Sequence, residues 1–271
     1  MIRIAQKTDW HKFQALAEKE NWKVPQLERT LFQSSWQDYA FALVDGETFC
    51  GLVTAIPYPQ SGWIGNLIVP SELRGRGYGK ELFNEALSFL KNQGVTSVWL
   101  TASTLGKPIY EKAGFVTVNE VERWVSTRRE PVVMEETLTA RAADRLRGAD
   151  FTAWGEDRSL LLEALIPRGK VLACNESVAL LQQEVEMQML GPWYSADNCP
   201  HANRALLQGM LALADPEIEL VVDVFGGSPV RPLLHAADFF CMGKNALMVK
   251  GAADGVDMST MVSLASLGSL G

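Results

Sequence analysis

The sequence is poor in the residue types that bind metal ions. Among 271 residues it has only three histidines and four cysteines. The cysteines are Cys50, Cys174, Cys199 and Cys241, and they form no Cys-x-x-Cys pair, the usual spacing of a structural zinc site. We therefore expect no bound metal, and we expect free thiols in a reducing, cytoplasmic environment.

The chain also lacks a long apolar run and an excess of positive charge. No stretch approaches the ~18 apolar residues of a membrane helix, and residues 1–9 contain no apolar core of signal-peptide length. Lysine and arginine number 25 against 32 acidic residues, a net charge of −7. This balance disfavours nucleic acid and anionic membrane surfaces and mildly favours a cationic partner such as an amine.

Length and composition instead predict two folded domains. Hydrophobic residues make up 47% of the chain, too many for a disordered protein. A polar stretch rich in arginine and glutamate, interrupted by Pro131, lies near the middle. We predict an N-terminal domain over residues 1–128, a linker over 129–148 and a C-terminal domain over 149–271.

The first half alternates strand and helix patterns. Residues 9–20 have helical spacing, and strands are predicted at 39–44, 48–56 and 63–69. A glycine-rich loop follows, then an amphipathic helix that ends at Gly94, and then a strand at 95–101. Strand, loop, helix and strand in this order predict a βαβ unit, so part of the sheet should be parallel.

The second half repeats this pattern about 124 residues later. Leu82-Phe83 aligns with Leu206-Leu207, Pro108 with Pro232, and Ala113-Gly114-Phe115 with Ala237-Asp238-Phe239. We interpret the chain as two copies of one fold in tandem. The loop glycines at 75, 77 and 79 align with Cys199, His201 and Asn203, so the second copy lacks the glycine loop.

The glycine loop, Arg74-Gly75-Arg76-Gly77-Tyr78-Gly79-Lys80, predicts an anion site. Glycines allow close approach of the backbone, and N–H groups at a helix start bind phosphate or pyrophosphate. A Walker A loop is excluded because Arg74 replaces its first glycine and Glu81 its hydroxyl residue. The glycine spacing also differs from the G-x-G-x-x-G of dinucleotide-binding loops.

These residues resemble the GNAT acetyltransferase superfamily over positions 1 to about 126. The R-x-x-G-x-G signature for acetyl-coenzyme A corresponds to residues 74–79, and a segment similar to the family's Y-E-x-x-G-F runs from Tyr110 to Phe115. The second half resembles the degenerate GNAT-like domain that follows this module in a bacterial subgroup. The resemblance implies an α/β protein of tandem GNAT-like folds, each with a mixed, mostly antiparallel sheet flanked by helices around a central βαβ unit.

The resemblance also implies roles for particular residues. Acetyl-coenzyme A would be a cosubstrate, with its pyrophosphate on the loop amides and its pantetheine arm along the preceding strand. Tyr110 would be the general acid that protonates the departing thiolate, and Ser103 stands where many relatives have an asparagine. The implied coenzyme A contacts are Leu67, Ile68, Val69, Arg74, Gly75, Arg76, Gly77, Tyr78, Gly79 and Lys80.

The sequence leaves the general base, the acceptor and the oligomeric state open. The strand at 62–69 carries no carboxylate, so no general base is evident. Glu18, Glu20 and Glu28 fall where the family's acceptor-side helices lie, but we expect all three to be solvated helix surface. A non-catalytic acyl-coenzyme A sensor is the alternative to an N-acetyltransferase. The residues leave open whether the acceptor is a small-molecule amine or a peptide amine, and whether the protein forms a homodimer.

Overall fold

The computed structural model describes residues 1–127 and 142–271, and these form two compact units. The first contains Met1–Leu100 together with Gly268–Leu270, and the second contains Thr101–Leu267 together with Gly271. Most of the predicted linker lies outside the described residues. Its last part is helical, because a helix begins at Ala142.

The first unit is built from five strands and three helices. The strands are β1 (Ile2–Ile4), β2 (Ala40–Asp45), β3 (Thr48–Pro57), β4 (Ser61–Ile68) and β5 (Ser97–Ala102), of which the last two residues fall in the second unit. The helices are α1 (Lys7–Lys19), α2 (Gln26–Phe32) and α3 (Tyr78–Asn92). The bounds of α1 and of β2 to β5 match the predicted elements to within a few residues, and α3 ends just before Gly94 as predicted, whereas α2 was not among the predicted elements.

The sheet of this unit runs in sequence order from β1 to β5. Neighbours from β1 to β4 are antiparallel, and β4 pairs with β5 in parallel, with α3 as the crossover. Helix α3 buries the apolar face that its sequence predicts, namely Leu82, Phe83, Ala86 and Leu90. On α1 and α2, the rings of Trp10 and Phe32 stack with centroids 5.5 Å apart.

Pairing between β4 and β5 stops early. The two strands pair at three positions, the last being Trp63 with Trp99. Strand β4 continues to Ile68 without further pairing to β5 among residues 1–127 and 142–271. The C-terminal half of β4 therefore has an edge that can pair with an extended ligand.

The second unit contains five helices and seven strands among its described residues. The helices are α4 (Lys107–Lys112), α5 (Ala142–Trp154), α6 (Ser159–Leu165), α7 (Pro200–Leu213) and α8 (Arg231–Ala236). The strands are β6 (Val116–Ser126), β7 (Gly169–Cys174), β8 (Ser177–Gln183), β9 (Gln188–Ser195), β10 (Leu220–Phe225), β11 (Phe240–Gly251) and β12 (Met261–Ser263). Their order is β11-β6-β10-β12-β9-β8-β7.

The second unit repeats the βαβ unit of the first. Strands β9 and β10 are parallel and are connected through α7, as β4 and β5 are through α3. They also pair only at their beginnings, at Leu220 with Gln188 and Val221 with Met189. Beyond that point β12 inserts between them and pairs with both. The second copy thus fills this opening with a strand of its own.

The short helices α4 and α8 confirm the tandem repeat in detail. Their first residues, Lys107 and Arg231, are 124 positions apart, as the alignment predicts. Gly114 and Asp238, which the alignment pairs, both have left-handed backbone, with φ of 88° and 59°. The residue that follows donates the same backbone hydrogen bond in both copies. Phe115 N–H donates to the Tyr110 carbonyl and Phe239 N–H to the Leu234 carbonyl, both at 3.0 Å.

Candidate active site

The glycine loop forms an exposed turn that ends in the first turn of α3. Gly75 and Gly77 have φ of 79° and 91°, and a Cβ atom at either position would meet nothing within 4 Å. Gly77 is the residue that caps α3, which begins at Tyr78. The first N–H groups of a helix have no partner within it. The loop therefore presents backbone donors and open space to an anion.

The positive charge of the loop lies on its exposed side chains. Arg74, Arg76 and Lys80 are all exposed. Arg74 pairs with Glu20 and donates from Nε to the carbonyl of Val69 at 3.1 Å. Glu20 is therefore paired with one of the three cationic side chains that the sequence predicts for anion binding.

The second copy starts its corresponding helix differently. Cys199 caps α7 with φ of −55°, where Gly77 caps α3 in the left-handed region. The side chain of Asn203, at the position of Gly79 in the alignment, is buried in the first turn of α7. This helix start therefore lacks the glycine turn of the first copy.

Strand β4 contains a bulge at Asn66. Pairing with β3 shifts between Leu52–Ile68 and Thr54–Gly65, so two β4 residues stand opposite one β3 residue. Asn66 has a left-handed φ of 54°, which asparagine tolerates better than most residues. Of the predicted coenzyme A contacts, Leu67 belongs to this bulge, Ile68 follows it, and Val69 follows the end of β4.

The expectation that Glu28 is solvated is wrong. Its side chain is 2% exposed, whereas Glu18 and Glu20 are exposed as expected. Glu28 shares a face of α2 with Leu31 and Phe32, three and four positions on, and this face is buried. The i, i+3, i+4 spacing is a sequence signal that could have identified it.

Two donors hold the Glu28 carboxylate within the first unit. Asn66 donates from Nδ2 to Oε1 at 2.6 Å, and Ser269 donates from Oγ to Oε2 at 2.5 Å. The same Asn66 amide also reaches Thr54 Oγ1 at 3.3 Å. Sequence analysis missed Ser269, since nothing in its local pattern indicates a contact 241 positions away.

Tyr110 belongs to the second unit, on α4. It is half-buried, and its ring lies 6.2 Å from that of Phe115, centroid to centroid. Burial raises the pKa of Tyr110 to about 12. The phenol therefore keeps its proton throughout the neutral range. Ser103, just before α4, accepts a hydrogen bond from Gly106 N–H at 3.2 Å.

The described part of the chain, residues 1–127 and 142–271, offers neither a metal site nor a membrane span. No group of three or more histidine, cysteine or acidic side chains is placed there to bind a metal ion. No helix in these ranges is long and apolar enough to cross a membrane.

Sequence comparison finds relatives of the first half. Residues 7–115 match the model of the acetyltransferase (GNAT) family. The chain is also 34% identical over 108 residues to YitH of Bacillus subtilis, an uncharacterized N-acetyltransferase. That match spans 38% of this chain and 38% of the relative.

Structural comparison extends the likeness to almost the whole chain. A putative acetyltransferase from Pyrococcus horikoshii superposes with a TM-score of 0.79 and 20% identity, over 98% of this chain and 94% of the other. A GCN5-related N-acetyltransferase from Sphaerobacter thermophilus gives 0.67 and 16%, over 96% and 98%. At these identities the likeness establishes the fold, and it confirms the predicted fold class. Residues 7–115 therefore match the acetyltransferase (GNAT) family, and almost the whole chain shares the fold of a GCN5-related N-acetyltransferase.

Proposed function

We propose that this protein is an N-acetyltransferase that moves the acetyl group of acetyl-coenzyme A directly to an amine acceptor. One observation carries the proposal: the first unit combines a helix that starts at a glycine cap, α3, with a strand, β4, that stops pairing with its parallel neighbour β5. The first feature suits a pyrophosphate and the second an extended chain that carries amide groups. Coenzyme A contains both.

The residues present fit this cosubstrate. Residues 75–80 supply the backbone donors for the pyrophosphate, and Arg74, Arg76 and Lys80 supply positive charge. The β4 residues at 67 and 68, with Val69, supply the backbone that pairs with the pantetheine arm. Side chains at positions 75 and 77 would project into the open space, which explains the need for glycine there.

The second copy supports this proposal because the corresponding opening between its parallel strands is filled. Its parallel strands separate in the same way, but β12 fills the opening, with Ser263 next to Val224 on one side and Trp193 on the other. Without the opening and without the glycine turn, we assign no coenzyme A site to this copy. The copy is a degenerate, non-catalytic GNAT-like domain in our proposal, with domain boundaries at 1–128 and 149–271.

In the proposed reaction, the acceptor nitrogen attacks the thioester carbonyl carbon. The C–N bond forms, the C–S bond breaks, and the thiolate leaves. Tyr110 donates a hydrogen bond, and ultimately a proton, to the leaving sulfur. The raised pKa of Tyr110 keeps this donor protonated at every physiological pH.

A turnover screen tests the proposal. The protein is mixed with acetyl-coenzyme A and a panel of amines: an alkylamine, a polyamine, an aminoglycoside, an amino acid and a peptide with a free N-terminus. Thiol release is followed by absorbance and the acetylated product by mass spectrometry. We expect acetylation of at least one amine. Tight binding of acetyl-coenzyme A without turnover of any amine would refute the enzyme and favour the sensor.

A further inference from the structure

We propose that Glu28 accepts the proton of the acceptor amine, and that Asn66 and Ser269 position its carboxylate for this step. The proposal rests on the proposed acetyl transfer and adds the proton acceptor that the sequence did not reveal. All the residues that carry it lie in the first unit.

The bulge in β4 brings Asn66 to the face where Glu28 lies. Thr54 and Gly65 are directly paired and so present their side-chain positions to the same face. In a regular strand Asn66, the next residue, would point to the opposite face. Asn66 nevertheless reaches Thr54 Oγ1, so the bulge has placed two consecutive positions on one face. Without it, Asn66 could not donate to Glu28.

Residues 268–270 cross the same face of β4. Trp63, two positions before Gly65, donates from Nε1 to the Gly268 carbonyl at 3.0 Å, and Tyr58 donates from its hydroxyl to the Leu270 carbonyl at 2.5 Å. A Cβ atom on Gly65 would lie 2.7 Å from Ser269 Cα. Gly65 therefore provides the space in which the Ser269 backbone lies, and the flanking hydrogen bonds fix the segment.

This arrangement gives Glu28 the properties of a positioned base. A carboxylate at 2% exposure is costly to bury, and donors to both oxygens offset that cost and fix its orientation. Asn66 and Ser269 are neutral donors, so neither adds a charge that would repel an ammonium group. The carboxylate also lies beside the bulged part of β4, where the proposed pantetheine contacts begin.

The step balances without any further reactant. As the acceptor nitrogen forms its bond to the carbonyl carbon, its proton passes to a Glu28 oxygen. The C–S electrons leave with the sulfur, to which Tyr110 donates a hydrogen bond, and the thiol proton comes from solvent through Tyr110, which ends the step protonated. The products are the N-acetylated amine and coenzyme A thiol, and Glu28 afterwards returns its proton to solvent.

Glu28→Gln tests the proton acceptor, with Glu18→Gln on the exposed face of α1 as its matched control. We expect kcat/KM for an alkylamine to fall by ~10²–10⁴-fold in Glu28→Gln. Hydroxylamine is largely unprotonated at neutral pH, so its loss should be at least about tenfold smaller. Glu18→Gln should keep the wild-type kcat/KM with the alkylamine and with hydroxylamine. Equal losses with the two nucleophiles, or unchanged rates, would overturn the role of Glu28.

Ser269→Ala and Gly65→Ala test the positioning, with Gly148→Ala as the control glycine because a Cβ there meets nothing within 4 Å. Both test variants should lower kcat about tenfold with little change in KM for acetyl-coenzyme A, since a hydrogen bond to a charged group is removed or displaced. Ser269→Thr, which keeps the hydroxyl, should recover most of the rate. A lowered melting temperature of Ser269→Ala with wild-type kcat would refute the positioning role.

The two levels of proposal fail differently. If wild-type protein binds acetyl-coenzyme A and acetylates no amine, the proposed function fails and the role of Glu28 fails with it. If wild type acetylates an amine and Glu28→Gln does so equally well, only the present inference fails. Calorimetric titration with acetyl-coenzyme A should give Glu28→Gln, Ser269→Ala and Gly65→Ala the wild-type affinity within about twofold.

Discussion

Tyr110→Phe is the substitution that most directly separates the proposed acid from a packed aromatic residue. It removes the phenol oxygen and leaves the ring, which lies 6.2 Å from that of Phe115, centroid to centroid. A structural role would survive the change. A donor to the leaving sulfur would be lost.

The size of the effect follows from the raised pKa. Burial raises the pKa of Tyr110 to about 12, and a coenzyme A thiol has a pKa of ~8.5. Complete proton transfer is thus uphill by about 3.5 units, or ~4.8 kcal/mol. Tyr110 should therefore act mainly through a hydrogen bond to the developing thiolate, worth ~1.5–3 kcal/mol. We expect Tyr110→Phe to lower kcat by about 10- to 100-fold.

The pH profile supplies the second half of this test. Tyr110 must be protonated to donate, so activity can be lost through its ionisation only as the pH rises through about 12. At pH 10 only about 1% of the phenol would be ionised, against half for an ordinary tyrosine. Wild-type kcat at saturating amine should therefore stay level from pH 8 to pH 10, as measured by thiol release. A fall by half near pH 10, or an unchanged kcat in Tyr110→Phe, would refute the reasoning.

Further predictions concern ion pairs and stability. Glu20→Gln releases Arg74 from an exposed ion pair, so calorimetry should show an affinity for acetyl-coenzyme A about two- to fivefold higher at low salt. The gain should shrink as salt is added, and a lower affinity in Glu20→Gln would contradict this prediction. Asp150→Asn should lower the free energy of unfolding by about 3–5 kcal/mol in urea titrations, because it removes the carboxylate charge that pairs with Arg158 at 1% exposure. A change below about 1 kcal/mol would show that this buried pair is dispensable. The phenol of Tyr110 ionises at a lower pH in the unfolded chain than in the folded protein, because burial raises its pKa to about 12. Wild type should therefore lose up to about 2.7 kcal/mol in free energy of unfolding between pH 10 and pH 12, and Tyr110→Phe should not. Equal losses in the two proteins would contradict this prediction.

Local pattern was enough to predict most of the fold. Helix α3 has an apolar stripe and a glycine at its start, and the strands around it have β-branched and aromatic residues between turn signals. Each of these signals acts within a few residues of the element it specifies. The repeat at 124 residues then predicted the second copy, and the matching ends of α4 and α8 confirm it.

Long-range contacts explain what the sequence could not reveal. Strand β12 has only three residues and owes its place to pairing partners on β9 and β10. Helix α5 begins inside the predicted linker because Asp144 and Arg145 are exposed while Ala142 and Leu146 are buried. Glu28 could have been identified from its buried neighbours on α2. Ser269 could not, because its partner lies 241 residues earlier.

Calorimetric titration of acetyl-coenzyme A into wild-type protein and Gly77→Glu tests the central claim, that residues 74–80 bind the pyrophosphate. The control is Gly94→Glu, which makes the same change at the other end of α3, at a glycine with φ of 84° and equally open surroundings. We predict that wild type and Gly94→Glu bind acetyl-coenzyme A, whereas Gly77→Glu, which places a side chain and a negative charge at the helix start, shows no measurable binding. Equal affinity in Gly77→Glu and wild type would contradict the account.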